Sequence, residues 1–151
     1  MEPIDPNKFS LDYLLENKVI TILSKDYVIE HGTNWDEVDM QEIIMNRLAY
    51  MCYDDQGDPD FSRLFSGVLY EIIFGNLNYY VHYKDGLRVG EEVRFYDSGK
   101  ARNYRVWNHD RLEGKVFGWY ENGKIMYITD WDKKTCIEFD EQGNITKQGK
   151  L

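Results

Sequence analysis

Histidine and cysteine, the residues that most often carry catalysis or bind transition metals, are few and scattered in this sequence. The histidines are His31, His82 and His109, and the cysteines are Cys52 and Cys136. No spacing brings two histidines onto one helical face, and neither cysteine belongs to a Cys-x-x-Cys pair, so the pattern of a zinc site is missing. No Gly-x-Ser-x-Gly motif marks a serine nucleophile. We therefore expect no metal, no cofactor and no enzymatic activity.

Carboxylates are the most abundant groups that could do chemistry, and they concentrate near the start of the chain. Residues 1–60 carry fourteen Asp and Glu against four Lys and Arg, a net charge of −10. Residues 61–151 carry thirteen acids against fourteen bases, a net charge of +1, and the two parts sum to −9. An acidic segment repels phosphates and attracts basic proteins, although it also simply raises solubility. We expect a basic protein partner, no nucleic acid and no membrane insertion.

Two clusters of these acids form the predicted partner-binding site. The first is the loop 54–60, which reads Asp-Asp-Gln-Gly-Asp-Pro-Asp, and the second follows Trp35. The loop lacks the spacing and terminal Glu of a calcium-binding EF-hand, which leaves a solvated turn as the alternative to a binding loop. The predicted partner-binding residues are Asp54, Asp55, Asp58, Asp60, Asp36, Glu37, Asp39 and Glu42.

The C-terminal half contains an internal repeat with an offset of 24 residues. Segment 90–100 reads Gly-Glu-Glu-Val-Arg-Phe-Tyr-Asp-Ser-Gly-Lys, and segment 114–124 reads Gly-Lys-Val-Phe-Gly-Trp-Tyr-Glu-Asn-Gly-Lys. A weaker copy starts at Gly67, with its turn glycine Gly75 one residue early, and a partial copy starts at Phe139. Alternating apolar residues followed by a three-residue connection ending in Gly predict β-hairpins with type I turns.

Hairpins stacked in register would form a long antiparallel sheet held by ladders of aromatic side chains. Each ladder should contain residues at equivalent positions of successive copies. The predicted neighbours are Phe95 with Trp119 and Ile72, Trp107 with Trp131 and Tyr83, and Tyr104 with Tyr80 and Ile128.

The pattern Gly-x-x-aromatic-x-aromatic-Tyr-x-x-Gly-Lys, repeated about every 24 residues, resembles the MORN-repeat variant of the YwqK-type bacterial antitoxins. The resemblance covers about residues 67–147. It implies an immunity protein that binds a cognate toxin domain, such as a basic nuclease, and occludes its active site. Other MORN proteins are scaffolds for a membrane surface or another protein, and a scaffold is therefore the alternative function.

The N-terminal segment carries helix signals before the repeats begin. Asn34 with an acid three residues later resembles a capping box, and apolar spacing extends that predicted helix to Tyr53, with Cys52 on its buried face. A shorter helix is predicted from Ser10. The apolar runs 19–23 and 27–29 fit either strands or buried helix. We expect the segment to pack on one face of the sheet or to cap its first strand.

These observations predict an α+β fold. An acidic, mainly helical segment over residues 1–60 packs on or caps an elongated antiparallel meander of hairpins over residues 61–151, the two forming one compact unit. No apolar run approaches the about 18 residues of a membrane span, and the N-terminus lacks a secretory signal. Cys52 and Cys136, far apart in sequence, fit either two free thiols in a reducing compartment or a single disulfide; the free thiols are the simpler interpretation, so we expect a cytoplasmic protein.

Overall fold

Antiparallel strands dominate the computed structural model, which describes residues 4–42, 48–53 and 55–151. Short helices occur only at the start of this described part: η1 (Pro6–Phe9) and η2 (Trp35–Glu37) are 3₁₀ helices, and α1 (Leu11–Glu16) and α2 (Lys25–His31) are α-helices. The strands are β1 (Thr33–Asn34), β2 (Val38–Glu42), β3 (Leu48–Tyr53), β4 (Pro59–Leu64), β5 (Gly67–Ile73), β6 (Asn76–Lys84), β7 (Leu87–Phe95), β8 (Ala101–Asn108), β9 (Arg111–Trp119), β10 (Ile125–Asp130), β11 (Thr135–Phe139) and β12 (Ile145–Lys150).

The main sheet is a meander in which each strand from β5 to β12 pairs with its neighbours in sequence. Within the described residues it has nine strands, because β1 adds to its β5 edge in parallel. Strands β7 and β9 begin 24 residues apart, and so do β8 and β10. The hairpin repeat and the predicted α+β class are therefore confirmed.

The repeated turns have the predicted geometry. Gly99, Gly123 and Gly143 adopt φ of 89°, 87° and 86°, a conformation that only glycine takes without strain. In the first turn, the N–H of Tyr96 donates to the carbonyl of Lys100 and the N–H of Gly99 donates to the carbonyl of Tyr96. The other two turns repeat both bonds, which identifies the 139–144 segment as a true copy.

The tyrosine of the repeat connects successive hairpins. The hydroxyl of Tyr96 donates to the carbonyl of Trp119 at 2.5 Å, and the hydroxyl of Tyr120 donates to the carbonyl of Phe139 at 2.7 Å. Each bond joins one turn to the last strand residue before the next equivalent turn. The repeated tyrosine thus has a structural role that aromatic packing alone does not explain.

The aromatic ladders differ from the predicted ones. The row across the sheet runs Tyr80, Val93, Tyr104, Phe117, Ile128, so a residue from the intervening strand separates each predicted pair. Equivalent strands of a hairpin meander are two strands, or about 9.5 Å, apart. The expected direct contacts of Tyr104 with Tyr80 and with Ile128 are therefore wrong.

The same spacing affects the other two predicted ladders. Phe95 lies two strands from Trp119 and two from Ile72, and its ring instead contacts Tyr80, with the centroids 6.0 Å apart. Trp107 pairs across strands with Gly90 and Leu112, and Trp131 lies in the turn after β10 rather than in the strand.

An N-terminal strap, residues 4–25, crosses one face of the main sheet along its row of hairpin turns. Its side chains, including the buried Leu14, form the larger core with Tyr80, Val93, Phe117 and other sheet residues. It therefore packs on the sheet as expected. Its contacts with the turns are Pro6 beside Gly143, the Leu11 N–H bonded to the Gly123 carbonyl, and Lys25 Nζ bonded to the Gly75 carbonyl.

The short helix predicted from Ser10 is confirmed as α1, in which the Ser10 hydroxyl accepts the N–H of Tyr13 at 3.2 Å. Residues 27–29 belong to α2, whereas residues 19–23 form neither strand nor helix. Strand β1 then adds to β5, so the N-terminal segment also caps the first strand of the repeats.

The helix predicted over residues 34–53 is wrong. Asn34 does cap, because its side chain accepts the N–H of Asp36, but only the one turn of η2 follows. Strands β2 and β3 then pair with each other, starting with Val38 opposite Cys52. Local capping and spacing carry no information about such cross-strand bonds, which decide the structure here.

Strands β2, β3 and β4 form a small sheet over the second face of the main sheet. Val38 of the small sheet packs in a second core with Phe65, Leu69, Val81 and Trp107. Cys52, expected on a helix, lies in β3 and packs against this core.

A buried carboxylate lies on this second face of the main sheet. Glu92 is 4% exposed and accepts the indole N–H of Trp107 at 3.2 Å. Its other oxygen lies 3.2 Å from Nε of Arg94 and 3.7 Å from Nε of Arg105. Because a buried charge needs such partners, Glu92 ties β7 to β8.

Candidate protein-binding surface

The histidines lie on three separate elements. His31 stacks on Tyr27 with ring centroids 4.1 Å apart, His82 lies 3.4 Å from a Glu91 oxygen, and His109 lies in the turn between β8 and β9. Among the residues that the structure describes, no group of three or more His, Cys, Asp or Glu could hold a metal ion. Both Cys52 and Cys136 are free thiols.

A groove of about 520 Å³ lies between the strap and the hairpin turns. Among its lining residues, Asp97 is the acid and Lys25 and Lys100 are the bases, with neither histidine nor cysteine. Convergent carboxylates, as an acid–base enzyme needs, are therefore not found along this groove. The apolar side chains that line it are Leu11, Leu15, Ile22, Leu23, Leu77, Phe95 and Ala101.

The predicted partner-binding acids that the structure describes fall on or beside the small sheet. Asp54 lies outside the described residues. The others lie as follows: Asp36 and Glu37 in η2, Asp39 and Glu42 in β2, Asp55 and Asp58 in the turn between β3 and β4, and Asp60 in β4.

The topology brings most of these positions to one end of the small sheet. Because Val38 pairs with Cys52, the start of β2 and the end of β3 meet, and η2 lies at the same end as the turn 55–58. Pro59 pairs with Tyr53, which keeps the first residues of β4 at this end as well. Glu42, paired with Leu48, lies at the opposite end and does not belong to the cluster.

The acidic segment presents its carboxylates to solvent. Between residues 4 and 58, nine acids have described side chains and all nine are exposed, against three exposed lysines. Such a surface attracts cationic partners over a distance of about 8 Å at physiological salt. The nine acids are Asp5, Asp12, Glu16, Asp26, Glu30, Asp36, Glu37, Asp55 and Asp58, and the lysines are Lys8, Lys18 and Lys25.

Three exposed apolar side chains, absent from the predicted site, lie on or beside β5, and Trp35 directly precedes Asp36 and Glu37. Phe74 is 99% exposed, and Ile73 and Trp35 are 43% and 45% exposed. Trp35 follows β1, which pairs with β5, and Phe74 follows β5 directly. One signal in the sequence marks this position: the shortened copy ending at Gly75 places Phe where the later copies have polar turn residues.

Comparisons with known proteins identify no family. No family model matches the chain, and no curated protein matches it. Among solved structures, the chain aligns with the GtfA/B complex bound to UDP and GlcNAc at a TM-score of 0.25 and 10% identity, over 75% of this chain and 24% of that one. The chain thus spans about a quarter of that neighbour, and so low a TM-score carries no argument. None of the described helices is both long and apolar enough for a membrane span.

Proposed function

We propose that this protein is a non-enzymatic, cytoplasmic immunity protein that binds a basic toxin domain through the acidic surface of its N-terminal segment. The bound protein would occlude the toxin's active site or substrate groove. Carboxylates suit this role if the toxin is a nuclease, because they mimic the phosphates that its basic groove recognises.

The observation that carries the proposal is the grouping of exposed acids at one end of the small sheet. Asp36, Glu37, Asp55 and Asp58 come from two segments far apart in sequence that the β2–β3 pairing brings together. The main sheet, through the core that Val38 joins, gives this end a packed support. A supported surface loses less conformational entropy on binding than a mobile acidic tail would.

The toxin as partner comes from the repeat resemblance, and the geometry of the hairpins agrees with that resemblance. Three turns, ending at Gly99, Gly123 and Gly143, have the same hydrogen bonds and the same glycine conformation. The free thiols of Cys52 and Cys136 suit the reducing cytoplasm in which an immunity protein acts.

Co-expression with the product of the neighbouring open reading frame tests the proposal. We expect that product to arrest growth alone, and this protein to restore growth and to form a stable one-to-one complex with it. Reversing the charges of Asp55 and Asp58 to Lys should weaken the complex. Absence of a growth effect and of a complex would contradict the immunity function and leave the scaffold alternative.

A further inference from the structure

The turn between β5 and β6 holds Phe74 in full solvent. Its side chain is 99% exposed, so it contributes nothing measurable to either core of the fold. Ile73, the last residue of β5, is 43% exposed beside it. A single exposed apolar residue is ordinary on a protein surface. The backbone of the turn and its surroundings are therefore needed to judge whether Phe74 has a binding role.

The backbone of this turn disfavours a bulky side chain. Phe74 has φ of +50° and Gly75 has φ of +80°, and Ile73 pairs with Asn76 across the turn. These values describe a two-residue hairpin turn with two left-handed residues, for which Asn-Gly and Asp-Gly are preferred. A bulky residue at such φ is an outlier that costs stability.

The same chain shows the favoured alternative. The turn between β6 and β7 has nearly the same backbone, with Asp85 at φ of +49° and Gly86 at +79°. The three repeat turns at the Phe74 end of the sheet carry polar pairs: Asp97-Ser98, Glu121-Asn122 and Glu141-Gln142. Folding alone would therefore place a polar residue at position 74, which indicates that the phenylalanine serves contacts outside this chain.

The sequence segments around this turn are poor in basic residues, although Lys25 itself contacts the turn. Lys25 Nζ donates to the Gly75 carbonyl at 2.8 Å, which places α2 against this turn. Beyond Lys25, residues 26–46 contain six acids and no Lys or Arg, and residues 64–83 contain neither Lys nor Arg. The exposed Trp35 lies on η2, which contacts β5.

We propose that Phe74, Ile73 and Trp35 form the apolar anchor by which this protein docks on its partner, with Phe74 inserted in an apolar pocket of a basic protein domain. The inference rests on the proposed function, in which that domain is the toxin. Aromatic residues surrounded by a polar rim are typical of the few residues that dominate binding energy. The acids Asp36 and Glu37, next to Trp35, supply the charge complementary to a basic rim.

Affinity measurements with matched variants test the anchor. Phe74→Asn creates the preferred Asn-Gly turn, so it should raise the melting temperature while it weakens the purified complex at least about 30-fold. Ile73→Thr should weaken the complex to a smaller degree. Its control is Ile145→Thr on β12 at the far edge of the sheet, where Ile145 is 45% exposed, and this variant should bind like wild type.

Photo-crosslinking in cells provides an independent readout. Benzoylphenylalanine at position 74 of the full chain should crosslink to one basic protein, whereas the same group at Gln142, in the turn between β11 and β12, should not. Crosslinks to a second copy of this chain, to lipid, or equally from both positions would overturn the anchor.

Unchanged affinity of Phe74→Asn for the toxin would refute the anchor and leave the immunity function standing. A crosslink from position 74 alone to a basic protein other than the toxin would refute the immunity function and leave the anchor standing.

Discussion

Two copies of the repeat have the same backbone but pack differently, because single residues at equivalent positions differ. In the β7–β8 hairpin, Arg94 pairs with Asn103, whereas the equivalent pair in the β9–β10 hairpin is Gly118 with Tyr127. In the second hairpin, the Tyr127 ring lies where a Cβ of residue 118 would be. The absence of a side chain at Gly118 is therefore a packing requirement, since the backbone there is ordinary strand.

Gly118→Ala should destabilise the protein, because a Cβ at this position would overlap the ring of Tyr127. We expect a loss of about 2 kcal/mol in the free energy of unfolding, typical of overpacking, measured by urea denaturation. Gly149→Ala is the matched control, because a Cβ there meets no atom within 4 Å. Equal unfolding free energies for the two variants would show that Tyr127 moves aside at no cost.

Elements of the N-terminal segment and of the repeat sheet stabilise each other through shared contacts. The Trp119 indole donates to the Phe9 carbonyl at 3.0 Å, and the Tyr80 hydroxyl accepts the N–H of Leu23 at 2.9 Å. Tyr80 is fully buried by the strap, and this burial raises its pKa, as the neighbouring Glu91 also does. Because the strap buries the Tyr80 side chain, ionisation of this phenol is linked to the stability of the fold.

This coupling predicts a loss of stability at alkaline pH. Above its ordinary pKa of about 10, Tyr80 ionises in the unfolded chain but stays protonated in the folded chain, so the free energy of unfolding falls as pH rises. Tyr80→Phe should be less stable at neutral pH, because the Leu23 N–H loses its acceptor, by about 1–3 kcal/mol. It should also lose less stability than wild type between about pH 8.5 and about pH 11.

Urea denaturation at both pH values measures this difference. Tyr104→Phe should show a change of the same sign, because burial also raises the pKa of Tyr104. Equal losses in wild type and in Tyr80→Phe would contradict the coupling of the buried phenol to folding.

Over the whole molecule, the boundary between the acidic and the nearly neutral part of the chain is also a boundary in the fold. The repeat half is nearly neutral and forms the meander, whereas the acidic residues 1–60 supply the strap on one face and most of the small sheet on the other. A sheet that is nearly neutral overall is thus the support for an acidic layer on both of its faces. The arrangement suits a binding protein whose contact surface is the layer and whose stability comes from the support.

The parts predicted from the sequence are those that repetition makes visible. The offset of 24 residues located β7, β8, β9 and β10 and their glycine turns, because each copy independently repeats the same local requirements. The helix predicted from Asn34 is wrong because β2 and β3 stabilise each other by pairing between strands, which local spacing does not reveal. The positions of the strap and the small sheet are tertiary contacts, which a single sequence does not encode as a pattern.

The candidate site was predicted only in part for the same reason. Composition located the acids, but only the β2–β3 register brings Asp36 and Glu37 to the turn 55–58 and separates Glu42 from them. The shortened copy marks position 74 in the sequence, but it does not show that the phenylalanine is exposed, because an exposed aromatic and a core aromatic are alike in sequence. The unusual character of Phe74 becomes clear only from its φ of +50° and from the Asp85 that has nearly the same φ in the next turn.

Charge reversal on the acidic surface is the sharpest test of the proposed contact with the toxin. We would measure the dissociation constant of the toxin complex at low salt for Asp36→Lys/Glu37→Lys and for the control Glu121→Lys/Glu141→Lys, which reverses two exposed acids in the repeat turns. We expect at least about tenfold weaker binding for the first variant, chiefly through slower association, and little change for the control. Equal affinities for the two variants would contradict the proposed contact.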